Sequence, residues 1–268
     1  NLEYLNLQGS FSEPGIQIPP EIGNLVNLKY LRLYNSNLVG EIPLEIGNLT
    51  NLEELWLPMN DLTGRIPHTI GHLTNLKQFQ SDRNQLTGEI PPEIGNLRNL
   101  IELNLWRNDL TGEIIPEIEN LSNTLTHLQL GGGNRLTGEI PSWIGNMTNL
   151  VRFSAGNQLT GQIPPEIGNL TNLEYLTLSN NELTGEIPPE IGNIVLDKYY
   201  VDLRNNELTG LIPETVCLAD PASSTFPIFE NNKLCAPYPD CLSEQNIFGM
   251  YGHQDTSECY LGCTDSPA

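Results

Sequence analysis

Cations are scarce in this chain: 12 Lys and Arg face 33 Asp and Glu, for a formal net charge of −21. With no basic stripe to neutralise phosphates, a nucleic-acid partner is excluded. No apolar run approaches the ~18 residues of a membrane span. Cysteine is missing until Cys217. The catalytic motifs are missing too: there is no Gly-x-Ser-x-Gly elbow, phosphate loop, His-Glu-x-x-His or EF-hand loop. His68, His72, His127 and His253 share no ligand spacing, so no metal and no cofactor is expected. Neither an initiating Met nor a signal peptide is present, and Asn1 opens in mid-repeat. That predicts a mature or excised fragment.

What the chain has in abundance is one phrase. Leu-Thr-Gly-Glu-Ile-Pro-Pro-Glu-Ile-Gly-Asn-Leu stands complete or nearly so at 38–49, 86–97, 136–147, 159–170 and 183–194. Each copy leads into Asn-Leu and a Leu-x-x-Leu-x-Leu-x-x-Asn run whose first leucines are Leu28, Leu52, Leu76, Leu100, Leu125, Leu150 and Leu173. A period near ~24 residues means one supersecondary unit stacked on itself, with a continuous core that no single turn could bury. An imperfect copy begins at Leu2, a diverged one is anchored by Leu203 and Asn206, and Phe229, Asn232 and Leu234 mark a degenerate last turn.

One turn can be read position by position. In Leu173-Glu-Tyr-Leu176-Thr-Leu178, apolar and polar residues alternate, as a short strand with one buried face requires. Asn181 sits where the chain turns, with an amide able to serve backbone groups of its own and the next turn. Leu183 and Ile187 point inward, Pro188 fixes the dihedral leaving the strand, and Gly192 is expected to permit the bend into the back of the coil. The Leu-Thr-Gly-x-Ile-Pro element resembles the plant-type leucine-rich repeat of plant receptor ectodomains and polygalacturonase inhibitors, over roughly residues 1–234. That resemblance implies an α/β solenoid: a right-handed superhelix with a concave parallel β-sheet. It also implies short second strands from Thr-Gly-x-Ile and short helical turns on the convex side.

The expected organisation is a solenoid over residues 1–216, about nine turns, and a disulfide-stapled cap with the degenerate last turn over residues 217–268. All five cysteines fall in that cap, which reads as an oxidising, extracellular compartment. Counting positions along the last turns pairs Cys217 with Cys241 and Cys235 with Cys259, although four cysteines allow three connectivities. Cys263 is left over, with its partner expected beyond Ala268. The segment 234–241, with 254–259, resembles the cap of secreted leucine-rich-repeat proteins of marine bacteria. In those, a Gly-Cys-Thr-Asp start like 262–265 often opens a further module. Four sequons, at Asn48, Asn120, Asn146 and Asn169, are glycosylation candidates that the repeat consensus also writes by itself.

Two periodic acidic columns account for much of the charge. Glu41, Glu89, Glu113, Glu139 and Glu186 form one; Glu21, Glu45, Glu93, Glu117, Glu166, Glu190 and Glu214 form the other. They read first as a solvated flank and second as a surface for divalent cations or a basic partner. Glu54 and Glu102 share a strand column two turns apart, roughly 10 Å, at the edge of an inverting-glycosidase spacing. No apolar pocket is expected around either of them, so no enzyme is expected. Gly131-Gly-Gly133 reads as a bulge in a turn with one extra residue.

Function is expected where the copies disagree, among strand residues facing out of the sheet. The candidate ligand-binding set is Tyr34, Glu54, Trp56, Met59, Asp82, Arg83, Glu102, Trp106 and Arg107. Aromatics and Arg are the residue types that dominate interface hot spots. The expected function is a non-catalytic, secreted or cell-surface recognition module, monomeric, binding a protein, peptide or glycan on the concave face. Two alternatives stand beside it. One is an ice-binding protein using the column Thr63, Thr87, Thr111, Thr137, Thr160, Thr184 and Thr209; the other is a structural spacer or adhesin module.

Overall fold

The computed structural model describes residues 1–9, 15–194, 200–218, 227–239, 254–256 and 259. The chain divides into two compact units, residues 1–137 and 138–268. In the first, six parallel strands follow one another in chain order: Tyr4–Asn6, Tyr30–Arg32, Glu54–Trp56, Gln78–Gln80, Glu102–Asn104 and His127–Gln129. Tyr4, Tyr30, Glu54, Gln78, Glu102 and His127 stand directly opposite one another. In the second unit, Arg152–Ser154, Tyr175–Thr177 and Tyr200–Asp202 pair in the same way.

Every strand after the first buries its middle residue, usually a leucine such as Leu31, Leu55 or Leu103, with the flanking leucines of the same motif. Two turns exchange volume without losing it. Leu-x-Leu becomes Phe79-x-Ser81 in one and Phe153-x-Ala155 in the other, with all four side chains fully buried. A large residue beside a small one conserves the packed volume of the layer. The Ser81 hydroxyl is left without a hydrogen-bond partner.

After each strand, a buried Asn ties adjacent turns together. Asn181 Nδ2 donates to the carbonyls of Leu178 (2.9 Å) and Ala155 (2.8 Å), while its Oδ1 accepts from the amides of Asn157 and Leu159. The amide therefore serves its own turn and the preceding one, rather than the next. Asn60, Asn84, Asn108, Asn206 and Asn232 repeat the pattern. Asn232 carries it into the degenerate last turn, where Phe229 and Leu234 are buried.

Second short strands form two three-membered sheets in the first unit. They run Ile16–Gln17, Leu38–Glu41, Asp61–Thr63 and Thr87–Glu89, Asp109–Gly112, Arg135–Leu136. In the second unit they shrink to single bridges such as Glu139 with Thr160. The backs of the turns are 3-10 helices, for example Pro92–Asn96 and Pro165–Asn169, each entered through an extended Pro. Gly192 lies in such a turn, but its role is close approach rather than a bend. A Cβ there would collide with Thr215, whose carbonyl oxygen would be 2.7 Å away. The same contact corrects one acidic column: Thr215, not Glu214, occupies the position that Glu21, Glu45 and Glu93 hold in other turns.

Cys235 and Cys259 are joined by a disulfide, and Cys217 is also disulfide-bonded. Cys241 and Cys263 lie outside the described residues, so the Cys217–Cys241 pairing does too.

Candidate recognition face

All nine candidate residues belong to the first unit, and they stand in four neighbouring columns of its sheet face. Glu54 and Glu102 share the first strand position, with Gln78 between them. Trp56 stands between Arg32 and Gln80. Tyr34, Asp82 and Trp106 follow the strand ends, and Met59, Arg83 and Arg107 come one residue later. The amides of Met59, Arg83 and Arg107 donate to the next turn's carbonyls at Asp82, Trp106 and Gly131, at 2.8–3.0 Å, which keeps this edge in register.

Trp56 is half-buried in a built environment rather than standing bare. The Arg32 guanidinium lies 4.1 Å from its ring centroid, Tyr34 meets it edge-on at 6.5 Å, and its Nε1 donates to Gln78 Oε1 at 3.0 Å. Arg32 is in turn held by Glu54 at 2.5 Å. Glu54 is thus engaged by Arg32, whereas Glu102 forms no ion pair among the described residues.

Trp106 carries a second cluster. Arg107 and Arg83 approach its ring to 4.5 and 5.3 Å. The Gly131–Gly133 insertion has a role here beyond a bulge. Gly132 has φ +80°, and any Cβ on it would collide with the Trp106 indole. The missing side chain is the seat of the tryptophan. The candidate set left out Arg32, Gln78, Asn104 and Gly132, although Arg32 stood among the outward strand residues; the one signal for Gly132 was an extra residue in its turn.

Asp82 accepts from Asn104 Nδ2 at 3.1 Å. Burial pushes its carboxyl above the usual aspartate range, and nearby Glu102 adds to the rise; its own backbone amide and Arg83 pull the other way.

Met59, Arg83 and Arg107 have φ of 57°, 54° and 56°. In a left-handed backbone a bulky side chain costs roughly 1–2 kcal/mol. Other turns fill the same position with residues that tolerate it, Asn35 and Gly132 in this unit and Asn180, Asn205 and Asn231 in the second. Three successive turns thus hold long side chains where the backbone disfavours them.

A cavity of about 680 Å³ lies on a different flank, lined by Glu41, Leu44, Arg65, His68, Glu89 and several prolines. None of the candidate residues lines it. Among the described residues, no group of three or more His, Cys, Asp or Glu could hold a metal, and no helix is long and apolar enough to cross a membrane.

Residues 2–131 match the family model for a leucine-rich repeat region, and 124–147, 172–194 and 199–218 match the leucine rich repeat. A plant ice-binding protein of known structure is 30% identical, with a TM-score of 0.78, over 94% of this chain and 79% of its own. The chain belongs to the plant-type leucine-rich-repeat family. The Arabidopsis thaliana receptor kinase GASSHO1/SCHENGEN3 ectodomain, solved with CASPARIAN STRIP INTEGRITY FACTOR 2, is 33% identical. Its TM-score is 0.75, over 90% of this leucine-rich-repeat chain and 31% of the ectodomain. The Arabidopsis HAESA ectodomain, solved with an extended IDA peptide hormone, is 31% identical with a TM-score of 0.73, over 82% and 41%. This leucine-rich-repeat chain therefore spans well under half of those two ectodomains. No curated protein matches it.

Proposed function

We propose that this chain is an extracellular, non-catalytic recognition module that binds a protein, peptide or glycan on the sheet face of its first unit. The observation that carries the reading is the row Met59, Arg83 and Arg107. Three adjacent turns keep long side chains in a conformation that Asn and Gly fill elsewhere, and such strain persists where a surface is used. The row borders two tryptophans fixed by arginine, so the contact groups are preorganised and little side-chain freedom is lost on binding. Trp56 and Trp106 are the anchors, while Arg83, Arg107, Asp82 and Glu102 set orientation. Peptide-bound neighbours such as the HAESA ectodomain support a ligand-binding use of the repeat.

The test is a peptide and glycan array probed with the natural chain and with Trp56→Ala/Trp106→Ala. Hits are expected to disappear in the double variant while its thermal unfolding stays cooperative. Hits that survive in full would sink the face assignment.

Ice binding is the second reading, favoured by the plant ice-binding protein that this chain spans over 79% of its length. Against it, Thr87, Thr137, Thr160 and Thr184 donate their hydroxyls to glycine carbonyls of the preceding turn, which occupies the donors an ice lattice would need. Thermal hysteresis in a cooled solution distinguishes the two readings.

A further inference from the structure

Four cations of the first unit, Lys29, Arg32, Lys77 and Arg135, are each held by a carboxylate. Arg83 and Arg107, like Arg65 and Arg98, are not. Among the described residues none of these arginines forms an ion pair, although the chain carries 33 acidic side chains. Arg83 and Arg107 instead converge on one indole, Trp106. They occupy the same position of adjacent turns, so their backbones are one strand spacing apart, about 4.8 Å. Their left-handed backbones give this placement a cost that Asn would avoid.

The ground between Trp56 and Trp106 has a definite chemistry. It presents Gln78, Gln80, Asp82, Glu102 and Asn104, planar amides and carboxylates suited to hydroxyl groups. The large cavity, which could take an apolar side chain, lies on another flank. Tryptophan beside amides, with two guanidinium groups over its ring and outside any ion pair, matches a polyhydroxylated ligand that carries negative charge. An extended sugar chain laid across the strands places successive residues near successive turns, whose strands lie about 4.8 Å apart. Successive acidic groups can therefore meet successive turns.

We propose that Arg83, Trp106 and Arg107 bind an acidic oligosaccharide laid across the strands. One anionic group, carboxylate or sulfate, meets each guanidinium, and a sugar ring packs on the indole. Guanidinium groups pair with such oxyanions through two parallel hydrogen bonds. This inference rests on the sheet face of the first unit being the binding surface.

The experiment titrates the whole chain, by calorimetry and tryptophan fluorescence, with oligouronates, heparin-derived sulfated oligosaccharides, neutral cello-oligosaccharides and poly-glutamate. Either acidic sugar is expected to bind, the one that does so identifying the anion, and the neutral sugar of equal length to fail. Arg83→Asn/Arg107→Asn is expected to weaken the acidic sugar by about tenfold or more. Its melting temperature is expected to hold or rise, because Asn is at home in this backbone conformation. The proposal is overturned by the absence of binding to both acidic sugars, by poly-glutamate binding equally well, or by unchanged binding in the Asn variant. Array hits that are neutral or peptidic, yet lost in Trp56→Ala/Trp106→Ala, overturn the acidic sugar and leave the face standing. Acidic sugars that bind both double variants unchanged overturn the two together.

Discussion

At the scale of single residues, conformation and charge separate scaffold from function. Met59 is 45% exposed, yet its φ is 57°. Its conformational cost is therefore not repaid by core packing. Met59→Asn is expected to stabilise the fold by about 1 kcal/mol, read as a higher urea midpoint at constant slope; a lower midpoint would show that Met59 packs more usefully than its exposure suggests. Asp82 makes the same point through charge. Its folded pKa is raised, chiefly by burial, so the ionised carboxyl is disfavoured in the folded state. The destabilisation is present in full above the folded pKa and is relieved as pH falls toward the ordinary aspartate value, where the folded state binds more protons. Asp82→Asn, which can still accept from Asn104, is expected to unfold later than the natural chain at neutral pH. That advantage should shrink in acid, and thermal melts at both pH values check it.

At the scale of one turn, the buried Asn is the element that makes stacking specific. Asn84 donates to the carbonyls of Leu57 and Ser81 and accepts from the amide of Leu62, so two turns meet on one side chain. Asn84→Ala leaves those buried backbone groups unmatched, at roughly 1–3 kcal/mol for each group that water cannot reach. A loss of about 3 kcal/mol in chemical denaturation is expected, with faster amide exchange at Leu62; a loss below about 0.5 kcal/mol would mean that water takes over the bonds. The repeat phrase made this Asn visible, but the bonds expected toward the next turn run to the preceding one. The Trp106 turn was harder to read. A one-residue insertion and three glycines looked like a local irregularity, and the indole above Gly132 explains the middle one.

For the molecule as a whole, each unit is a stack in which a turn is stabilised by its neighbours, so its ends decide how it unravels. In the second unit the Cys235–Cys259 disulfide closes 24 residues of chain around the degenerate last turn. Cys235→Ser/Cys259→Ser is expected to lower stability by about 3 kcal/mol. Hydrogen exchange should quicken around Asn232 and Leu234 before it changes near Leu55. Uniform quickening through both units would contradict this local account.

The sequence by itself determined the repeat, the buried leucines, the Asn ladder, the Pro-led back turns and the list of outward strand residues. All of these recur at fixed spacing, and periodicity survives without coordinates. Tertiary structure alone decided which of those outward residues act together. Arg32 is engaged by Glu54 and Trp56, whereas Arg83 and Arg107 share Trp106 and form no ion pair among the described residues. The physical reason is that side chains some 24 residues apart meet across one strand spacing, and which partner each takes depends on rotamer, backbone dihedral and the room left by a residue such as Gly132.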